Sequence, residues 1–515
     1  MKIVLTGATG NMGRETLKEI LKIDEVELVR ILVLPGDKRY KILIKQNKTY
    51  KHKIEIIFGN LKDQETCDRL VADIDYVLNL AAVIPPHSDK YPQRAIDCNE
   101  IGVNCLVSSI EKLDKQPKLI HISTLALYGN RNHIHPFARV GDPLLVSPFD
   151  IYSATKLRGE FRVLESNIKM WAVIRQTAML HMNMLKDNMS DGLMFHTCFN
   201  APLEWVTAHD SGVLIANILK KDIKGELKNE FWKQVFNLGG GLINRVTGYD
   251  TLNDGFKLIG GGTKDFFSPY FNATRNFHGV WFYDSDRLNK LFNYLSQSVS
   301  DYWKQIGKKY GYYKFGKIVP KSLIRKAVIE RLFKDDNSPA YWYAHNNEAK
   351  LIAYFGGKDE YEELKKISWN EFNLLRENKT PDGKSIDYNA LREVKKAKLI
   401  NYYYDIDKKD AEIDIDDLKN VAAAHGGKLL SKVFKKGDIY TKLDWETQDG
   451  EKFVASAFTV LRAGHWFNIT YKENVWDFDR LAKKDKIFAQ AWYDSHGKNE
   501  NHYYYMDKSF KIGIK

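Results

Sequence analysis

The chain begins Met1-Lys-Ile-Val-Leu-Thr-Gly-Ala-Thr-Gly-Asn-Met-Gly-Arg-Glu-Thr16. The apolar run from Ile3 to Leu5 predicts a short buried strand, and an amphipathic helical pattern follows the turn. Between them, Gly7, Gly10 and Gly13 remove side chains where a backbone would approach a pyrophosphate. The first N–H groups of such a helix point at the bound anion. This stretch therefore predicts a dinucleotide site at the start of a sheet.

Apolar runs alternate with helical patterns through the first two hundred residues. Six of these runs are predicted strands: Lys2–Leu5, Glu27–Leu34, Ile54–Phe58, Tyr76–Leu80, Leu119–Ile122 and Trp171–Ile174. This alternation is typical of an α/β fold with a doubly wound parallel Rossmann sheet. Polar or small residues follow each run. Because ligands of such sheets bind at the carboxyl ends of the strands, we expect a ligand site there.

The 515-residue chain is too long for one ordinary domain, and we predict three parts. Residues 1–300 form the Rossmann sheet and a smaller substrate-binding part. Residues 301–339 form a basic, aromatic, helical connector, and residues 340–515 form a C-terminal α+β region of unknown role. Within that last region, Ile439–Trp445 and Phe453–Tyr471 have the pattern of β-hairpin strands.

The composition indicates a sizeable core and an affinity for anions. Hydrophobic residues make up 44% of the chain, and the net charge is +12. Four cysteines, none of them in a CxxC pair, lead us to expect a reducing, cytoplasmic location without disulfides or zinc. We expect neither a secretory leader nor a transmembrane helix, because no stretch of about 18 apolar residues occurs.

The segment 304–334 contains ten Lys or Arg against one acid, Glu330. Three interpretations are open: a solvated helical face, a weak contact with an anionic membrane surface, and nucleic-acid binding. No recognition motif supports the third, so we expect a small-molecule substrate and no nucleic acid, and we leave a homodimer open. His133 and His135 have no evident third ligand, so we expect no metal site.

Tyr152 and Lys156 are four residues apart, a spacing that places both side chains on one face of a helix. A phenol, with a pKa of about 10, is a poor acid or base at neutral pH, but a nearby ammonium and an oxidised nicotinamide favour the phenolate and lower that pKa. Tyr152 is thus a candidate to exchange a proton with a carbonyl or hydroxyl oxygen. Thr124 is a candidate to hydrogen-bond the same oxygen, and Lys156 to hold a ribose.

Together these motifs resemble the extended short-chain dehydrogenase/reductase superfamily, which includes NAD-dependent epimerases and dehydratases. The resemblance covers residues 1–300 and rests on Thr6–Gly13, Asn79–Ala82, Asn99 with Gly102, Ser123-Thr124 before Tyr128-Gly129, Tyr152 with Lys156, Arg175 and Asn237–Gly240. It implies that Thr124, Tyr152 and Lys156 form the catalytic triad.

The residues that we expect to bind the cofactor follow the predicted strands. They are Gly7, Thr9, Gly10, Asn11, Met12, Gly13, Lys38, Arg39, Asn60, Leu61, Leu80, Ala81, Ala82, Tyr152, Lys156 and Gln176. Asp37 is a candidate partner for the ribose hydroxyl of NAD, and Lys38 or Arg39 for the 2′-phosphate of NADP. Because no acid stands at the strand end itself, the sequence favours NADP slightly over NAD.

At two positions the sequence lacks residues that are usual in this superfamily, which reduces the number of reaction types to consider. Leu125-Ala126 stand where 4,6-dehydratases carry an Asp-Glu pair, and Arg175–Ala178 lacks the asparagine usual in epimerases. We therefore predict an NAD(P)-dependent oxidoreductase that moves a hydride to or from a carbonyl or hydroxyl carbon of a partly apolar small molecule. The alternatives are an NAD-dependent epimerase of a sugar-type substrate and a non-enzymatic dinucleotide-binding module. Phe277-His278 and Trp281–Tyr283 either line the substrate pocket or belong to the core.

Overall fold

A computed structural model describes residues 1–188, 191–466 and 475–505 of the chain. Its centre is a sheet of seven strands: β1 (Lys2–Thr6), β2 (Leu28–Val33), β3 (Ile54–Phe58), β4 (Tyr76–Asn79), β5 (Lys118–Thr124), β6 (Trp171–Gln176) and β7 (Gln234–Leu238). Every neighbouring pair is parallel, and the order is β3-β2-β1-β4-β5-β6-β7. The predicted doubly wound sheet is confirmed, and its carboxyl ends share one edge.

Both faces of the sheet are buried. Along β1, Val4 belongs to one core cluster while Ile3 and Leu5 belong to the other, as the two-residue period of a strand requires. Three helices matter for the site: α1 (Asn11–Ile20), α2 (Ile151–Leu164) and α3 (Ala208–Ile223). Helices α1 and α3 pack against each other, and α2 packs beside β5.

The remaining elements are short. The other helices up to residue 298 are Arg39–Gln46, Gln64–Val71, His87–Lys90, Pro92–Ala95, Gly102–Glu111, Met184–Asn188, Gly248–Lys257, Thr263–Phe266 and Asp286–Phe292. Small sheets pair Ala178–Leu180, Pro202–Thr207 and Arg245–Thr247, and pair Phe137–Ala138 with Trp281–Phe282.

The C-terminal part combines helices and small sheets, as predicted. Its helices, with those of the preceding segment, are Val299–Lys309, Lys321–Ile324, Pro339–Ala344, α4 (Glu348–Phe355), Lys358–Lys366, Tyr388–Leu391, Ile415–Ala424, Phe478–Lys484 and Lys486–Trp492. Its strands are Lys428–Leu429, Lys442–Glu446, Lys452–Ser456, Val475–Trp476 and Tyr504–Tyr505.

The C-terminal part shares a core with the sheet. One hydrophobic cluster contains Val77 of β4 together with Trp342 and Phe458. The rings of Trp171 in β6 and Phe458 meet edge to face, with centroids 5.8 Å apart. The C-terminal part therefore covers one face of the Rossmann sheet.

One predicted strand is too long. The strand that begins at Lys452 ends at Ser456, and Phe458–Arg462 form a helical turn instead. A continuous apolar run does not distinguish a strand from a buried helical turn, which explains the error. Residues 467–471 of that prediction lie outside the described residues. Among the described helices, none is both long and apolar enough to cross a membrane.

Candidate functional site

The turn between β1 and α1 requires glycine at two positions. Gly7 has a φ of +69°, and a Cβ placed there would lie 2.8 Å from the backbone nitrogen of Ala81. A Cβ on Gly13 would lie 2.1 Å from the Gly7 carbonyl oxygen. The helix thus packs directly on the turn, as predicted. A Cβ on Gly10 would meet only the Gly7 oxygen, at 3.2 Å, so the remaining space in front of Gly10 is open.

The open side of this turn suits an anion. No side chain caps the N-terminus of α1 at Gly10, so its first N–H groups keep their hydrogen-bonding capacity. A cavity of about 690 Å³ touches this end of the helix at Asn11 and Arg14 but extends past Lys18 to Tyr302, and none of the three glycines lines it. The glycine cradle and the uncapped helix therefore fit the diphosphate of a dinucleotide.

The other residues predicted to bind the cofactor lie at the same edge of the sheet. The Thr6 hydroxyl accepts hydrogen bonds from the backbone nitrogens of Leu80 and Ala81, at 3.1 and 3.0 Å, which joins the ends of β1 and β4. Asn60 and the buried Leu61 follow β3, and Ala82 follows β4.

Gln176 ends β6, and its Oε1 is buried with no hydrogen-bond partner among the described residues. A buried polar atom without a partner is costly in a protein alone, so this oxygen indicates room for a donor from a ligand.

Asp37 contacts the glycine turn, whereas Arg39 is tied to Asp37. The Thr9 hydroxyl donates to the Asp37 carboxylate at 3.2 Å, and Arg39 donates through Nε and Nη2, each at 2.9 Å. The hydrogen bonds from Arg39 lower the pKa of Asp37 to about 2, so the carboxylate is charged. Lys38 is exposed beside this pair. The sequence could not show that the acid, rather than the base, faces the turn.

The structure brings Thr124 and Tyr152 together. Thr124 ends β5, Tyr152 lies in the first turn of α2, and the Thr124 hydroxyl is near enough to lower the pKa of the Tyr152 phenol. Burial raises the pKa of Tyr152 to about 12, the Thr124 hydroxyl lowers it, and the Asp150 carboxylate raises it further. Burial is the largest influence in the protein alone, and the lowering expected with an oxidised nicotinamide bound stays a prediction.

Lys156 lies one turn further along α2 and is 1% exposed. Its Nζ donates to the Ile122 carbonyl oxygen of β5 at 2.6 Å, and burial lowers the pKa of the ammonium to about 8. A bond to a strand carbonyl keeps the ammonium at the carboxyl edge, two residues from Thr124.

Comparisons with known proteins agree with this geometry. Residues 3–170 match the model of the NAD dependent epimerase/dehydratase family. The family resemblance predicted from the sequence is thus confirmed. The match spans the glycine turn, Thr124, Tyr152 and Lys156.

The curated relatives are similar over part of their length. UDP-glucose 4-epimerase of Rickettsia bellii is 29% identical over 126 residues, which are 24% of this chain and 36% of that protein. Fatty acyl-CoA reductase 1 of Gallus gallus is 26% identical over 153 residues, 26% of this chain and 29% of that protein. The chain thus spans well under half the length of either relative. A solved structure of UDP-glucuronic acid 4-epimerase from Bacillus cereus, with UDP-glucuronic acid and NAD, is 21% identical and covers 60% of this chain and 100% of its own, with a TM-score of 0.47.

A buried ionic network lies beside Thr124 and involves α2, the helix that carries Tyr152 and Lys156. Glu160 of α2 accepts hydrogen bonds from Arg175 Nη2 at 2.6 Å and from Ser123, the neighbour of Thr124, at 2.5 Å. His465 of the C-terminal part contacts the same carboxylate at 3.0 Å, and the Ala463 carbonyl accepts from Arg175 at 2.7 Å. Although burial opposes ionisation, Arg175 and His465 hold the pKa of Glu160 below its usual range.

A second polar group surrounds the start of α2. Asp150 caps the helix by accepting from the Ser153 backbone nitrogen at 2.9 Å, and it contacts His278 Nδ1 at 2.9 Å. His278 therefore belongs to the site region, whereas Phe277, which stacks on it, packs against the main core. Of the two alternatives given for this pair, the core therefore applies to Phe277 and the site region to His278.

Asp89 and Lys350 complete this group. Burial raises the pKa of Asp89 to about 7, the Asp150 carboxylate raises it further, and the Lys350 ammonium lowers it. Lys350 projects from α4 with its Nζ 5.0 Å from the centre of the Trp342 ring. The C-terminal part thus contributes a cation that acts on Asp89.

Sequence reasoning missed these neighbours for different reasons. Asp150 has a local signal, because Asp two residues before a helical motif is a typical N-cap. Lys350 and His465 have none, since nothing near them resembles a motif. One group of metal-ligand type, Glu15, Glu19 and His209, also comes within 4.8 Å. Ion pairs from His209 to Glu15 and from Lys22 to Glu19 already account for it.

Proposed function

We propose that this chain is an NAD-dependent oxidoreductase that transfers a hydride between the nicotinamide and a carbonyl or hydroxyl carbon of a small molecule. The observation that carries the proposal is the proximity of the Thr124 and Tyr152 hydroxyls, with buried Lys156, at the sheet edge that also holds the glycine turn. A surface helix or a purely structural turn has no need of this combination.

Different residues at this edge bind different parts of the dinucleotide. The Gly7–Gly13 turn and the N-terminus of α1 hold the diphosphate, and Leu80–Ala82 and Gln176 line the path along the edge. When bound, the nicotinamide supplies the carbon that accepts or donates the hydride.

Tyr152 moves the proton that accompanies the hydride. Because its pKa is about 12 in the protein alone, the phenol is protonated at neutral pH and ready to donate to a carbonyl oxygen. Thr124 donates a hydrogen bond to the same oxygen, which fixes its position. Lys156, with a pKa of about 8, is mostly an ammonium at neutral pH and stabilises the phenolate that donation leaves.

Asp37 supports NAD over NADP. Its charged carboxylate contacts Thr9 of the turn, where it accepts a hydrogen bond from a ribose hydroxyl and repels a 2′-phosphate. This reverses the slight preference for NADP drawn from the sequence, and the matched family is described as NAD dependent. Titration of the protein with NADH and NADPH tests it. We expect NADH to bind at least about tenfold more tightly, and Asp37→Asn to reduce that difference.

The substrate that we propose is a partly apolar ketone, aldehyde or alcohol. Leu125-Ala126 after Thr124 supply neither the acid nor the base of a dehydration, which favours simple hydride transfer. The similarity to UDP-glucose 4-epimerase supports a second candidate, an epimerase that oxidises and re-reduces its sugar-type substrate with tightly held NAD.

The test is turnover of NADH with a broad panel of carbonyl compounds. We expect Tyr152→Phe to lower the rate by about 10²–10⁴-fold, because the general acid is lost, while Tyr503→Phe, an exposed control, leaves it unchanged. A Tyr152→Phe variant that keeps the wild-type rate would contradict the assignment. Co-purified NAD without net NADH turnover would favour the epimerase.

A further inference from the structure

The segment after the Val299–Lys309 helix exposes a row of large apolar side chains. Residues Gly311–Ile318 form a 3₁₀ helix, in which side chains three positions apart lie directly above one another. Tyr312, Phe315 and Ile318 have this spacing and are 59%, 69% and 82% exposed. They form one ridge, which we call the apolar ridge, and Leu323 just beyond it is 56% exposed.

The opposite side of the same helix is anchored to the protein. A Cβ on Gly316 would lie 2.8 Å from the Ile259 Cβ, so the backbone approaches Ile259 closely. Tyr313 packs on Tyr310 with ring centroids 5.5 Å apart, and Val319 packs against the neighbouring core cluster. The apolar ridge is therefore held outward by packing behind it.

Lysines flank the apolar ridge. Lys314 and Lys317 occupy the third face of the 3₁₀ helix and are exposed, as are Lys308 and Lys326 on either side. In the described part of the chain no carboxylate lies within ion-pair distance of these four lysines, whereas Lys321 pairs with Asp265 at 2.6 Å. Unpaired cations beside exposed apolar side chains are the two features that an interfacial segment combines.

We propose that the apolar ridge docks on an anionic lipid bilayer. Tyr312, Phe315 and Ile318 enter the boundary between headgroups and acyl chains, and Lys314 and Lys317 pair with lipid phosphates. The chemistry fits a membrane better than a nucleic acid, because Ile318 has no π-face on which a base could stack. It also fits better than a solvated face, because three large apolar side chains aligned on one face gain nothing from water.

The experiment uses the full-length protein and sedimentation with vesicles of phosphatidylcholine, with and without phosphatidylglycerol. We expect binding to the vesicles that contain phosphatidylglycerol, and weaker binding at high ionic strength because the charges are screened. The double variant Phe315→Glu/Ile318→Glu should bind at least about tenfold less, since two apolar side chains no longer insert. Lys314→Gln/Lys317→Gln should reduce the preference for the anionic vesicles.

Ile243→Glu is the matched control, because Ile243 is 67% exposed in another 3₁₀ turn, Leu242–Asn244. We expect this variant to bind vesicles like the wild type, and thermal unfolding to show that all the variants are folded. Wild-type protein that stays in the supernatant, or equal binding by the ridge variant, overturns the proposal. The same holds if the ridge variant loses only self-association or binding to single-stranded DNA, because the ridge then serves another partner.

Discussion

Residues 1–300 and the C-terminal part differ in how far apart along the sequence the residues of their key contacts lie. In residues 1–300, the turn that holds Gly7 against Gly13 is complete within seven residues, and one helix carries Tyr152 and Lys156. In the C-terminal part, the contact from His465 to Glu160 spans 305 positions. The comparison teaches that the C-terminal part is joined to α2 through Glu160, although no sequence motif indicates this contact.

The largest effect is expected where the two halves meet. Glu160→Gln removes a buried negative charge and leaves the Arg175 guanidinium, which is 0% exposed, without its ionic partner. We expect the free energy of unfolding to fall by about 3–5 kcal/mol, measured by urea denaturation.

The control for this change is a surface ion pair. Asp286→Asn removes the partner of Lys290, with side chains 57% and 77% exposed, and should cost no more than about 0.5 kcal/mol. If Glu160→Gln cost as little as this control, the network would not join the two halves.

A smaller loss of stability is expected when only the His465 contact from the C-terminal part is removed. His465→Phe keeps a ring in the buried position but removes the donor to Glu160, and should lower the free energy of unfolding by about 1–3 kcal/mol. His465→Gln retains a donor and should recover part of that loss. In the double variant with Glu160→Gln the two losses should not add, because both act on one carboxylate. Strict additivity would show that the two residues do not act together.

The sequence predicted the sheet because strands depend on local pattern, and it placed Tyr152 and Lys156 on one helix for the same reason. Strand bounds such as Ile54–Phe58 agree because apolar runs and turns are short-range signals. The orientation of Asp37 towards Thr9 was not predictable, since a loop carrying Asp-Lys-Arg does not reveal which side chain turns inward.

Contacts between residues far apart in the chain could not be predicted from the sequence at all. Lys350 acts on Asp89 although the two residues are 261 positions apart in the chain. The strand predicted over Phe453–Tyr471 was wrong from Phe458 onward, where the chain forms a helical turn. In that turn the Phe458 ring packs against Trp171, a contact that the local sequence does not reveal.

The smallest expected effect is a change in the pH dependence of stability. It involves Asp89 in the first part of the chain and Lys350 in the C-terminal part. The pKa of Asp89, about 7 in the folded protein, lies above its ordinary value, so the stability it contributes is present at low pH and lost as the pH rises through about 7. Relative to Asp89→Asn, the wild type should therefore lose about 1 kcal/mol or more between about pH 5 and about pH 8. Unfolding at each pH measures this.

Lys350→Met sharpens that test. Because the Lys350 ammonium lowers the pKa of Asp89, its removal should shift the loss of stability to higher pH. An unchanged pH dependence would mean that Lys350 does not act on Asp89 from across the site.

The most direct test of the central claim, a dinucleotide site at the glycine turn, is titration of NADH fluorescence with the wild type, Gly13→Ala and Gly311→Ala. A Cβ at Gly13 displaces the turn, whereas one at Gly311 meets nothing within 4 Å. The account predicts that the wild type and Gly311→Ala bind NADH alike and that Gly13→Ala binds at least about tenfold more weakly while still folded. A wild type that does not bind NADH, or a Gly13→Ala variant that binds it equally well, would contradict the account.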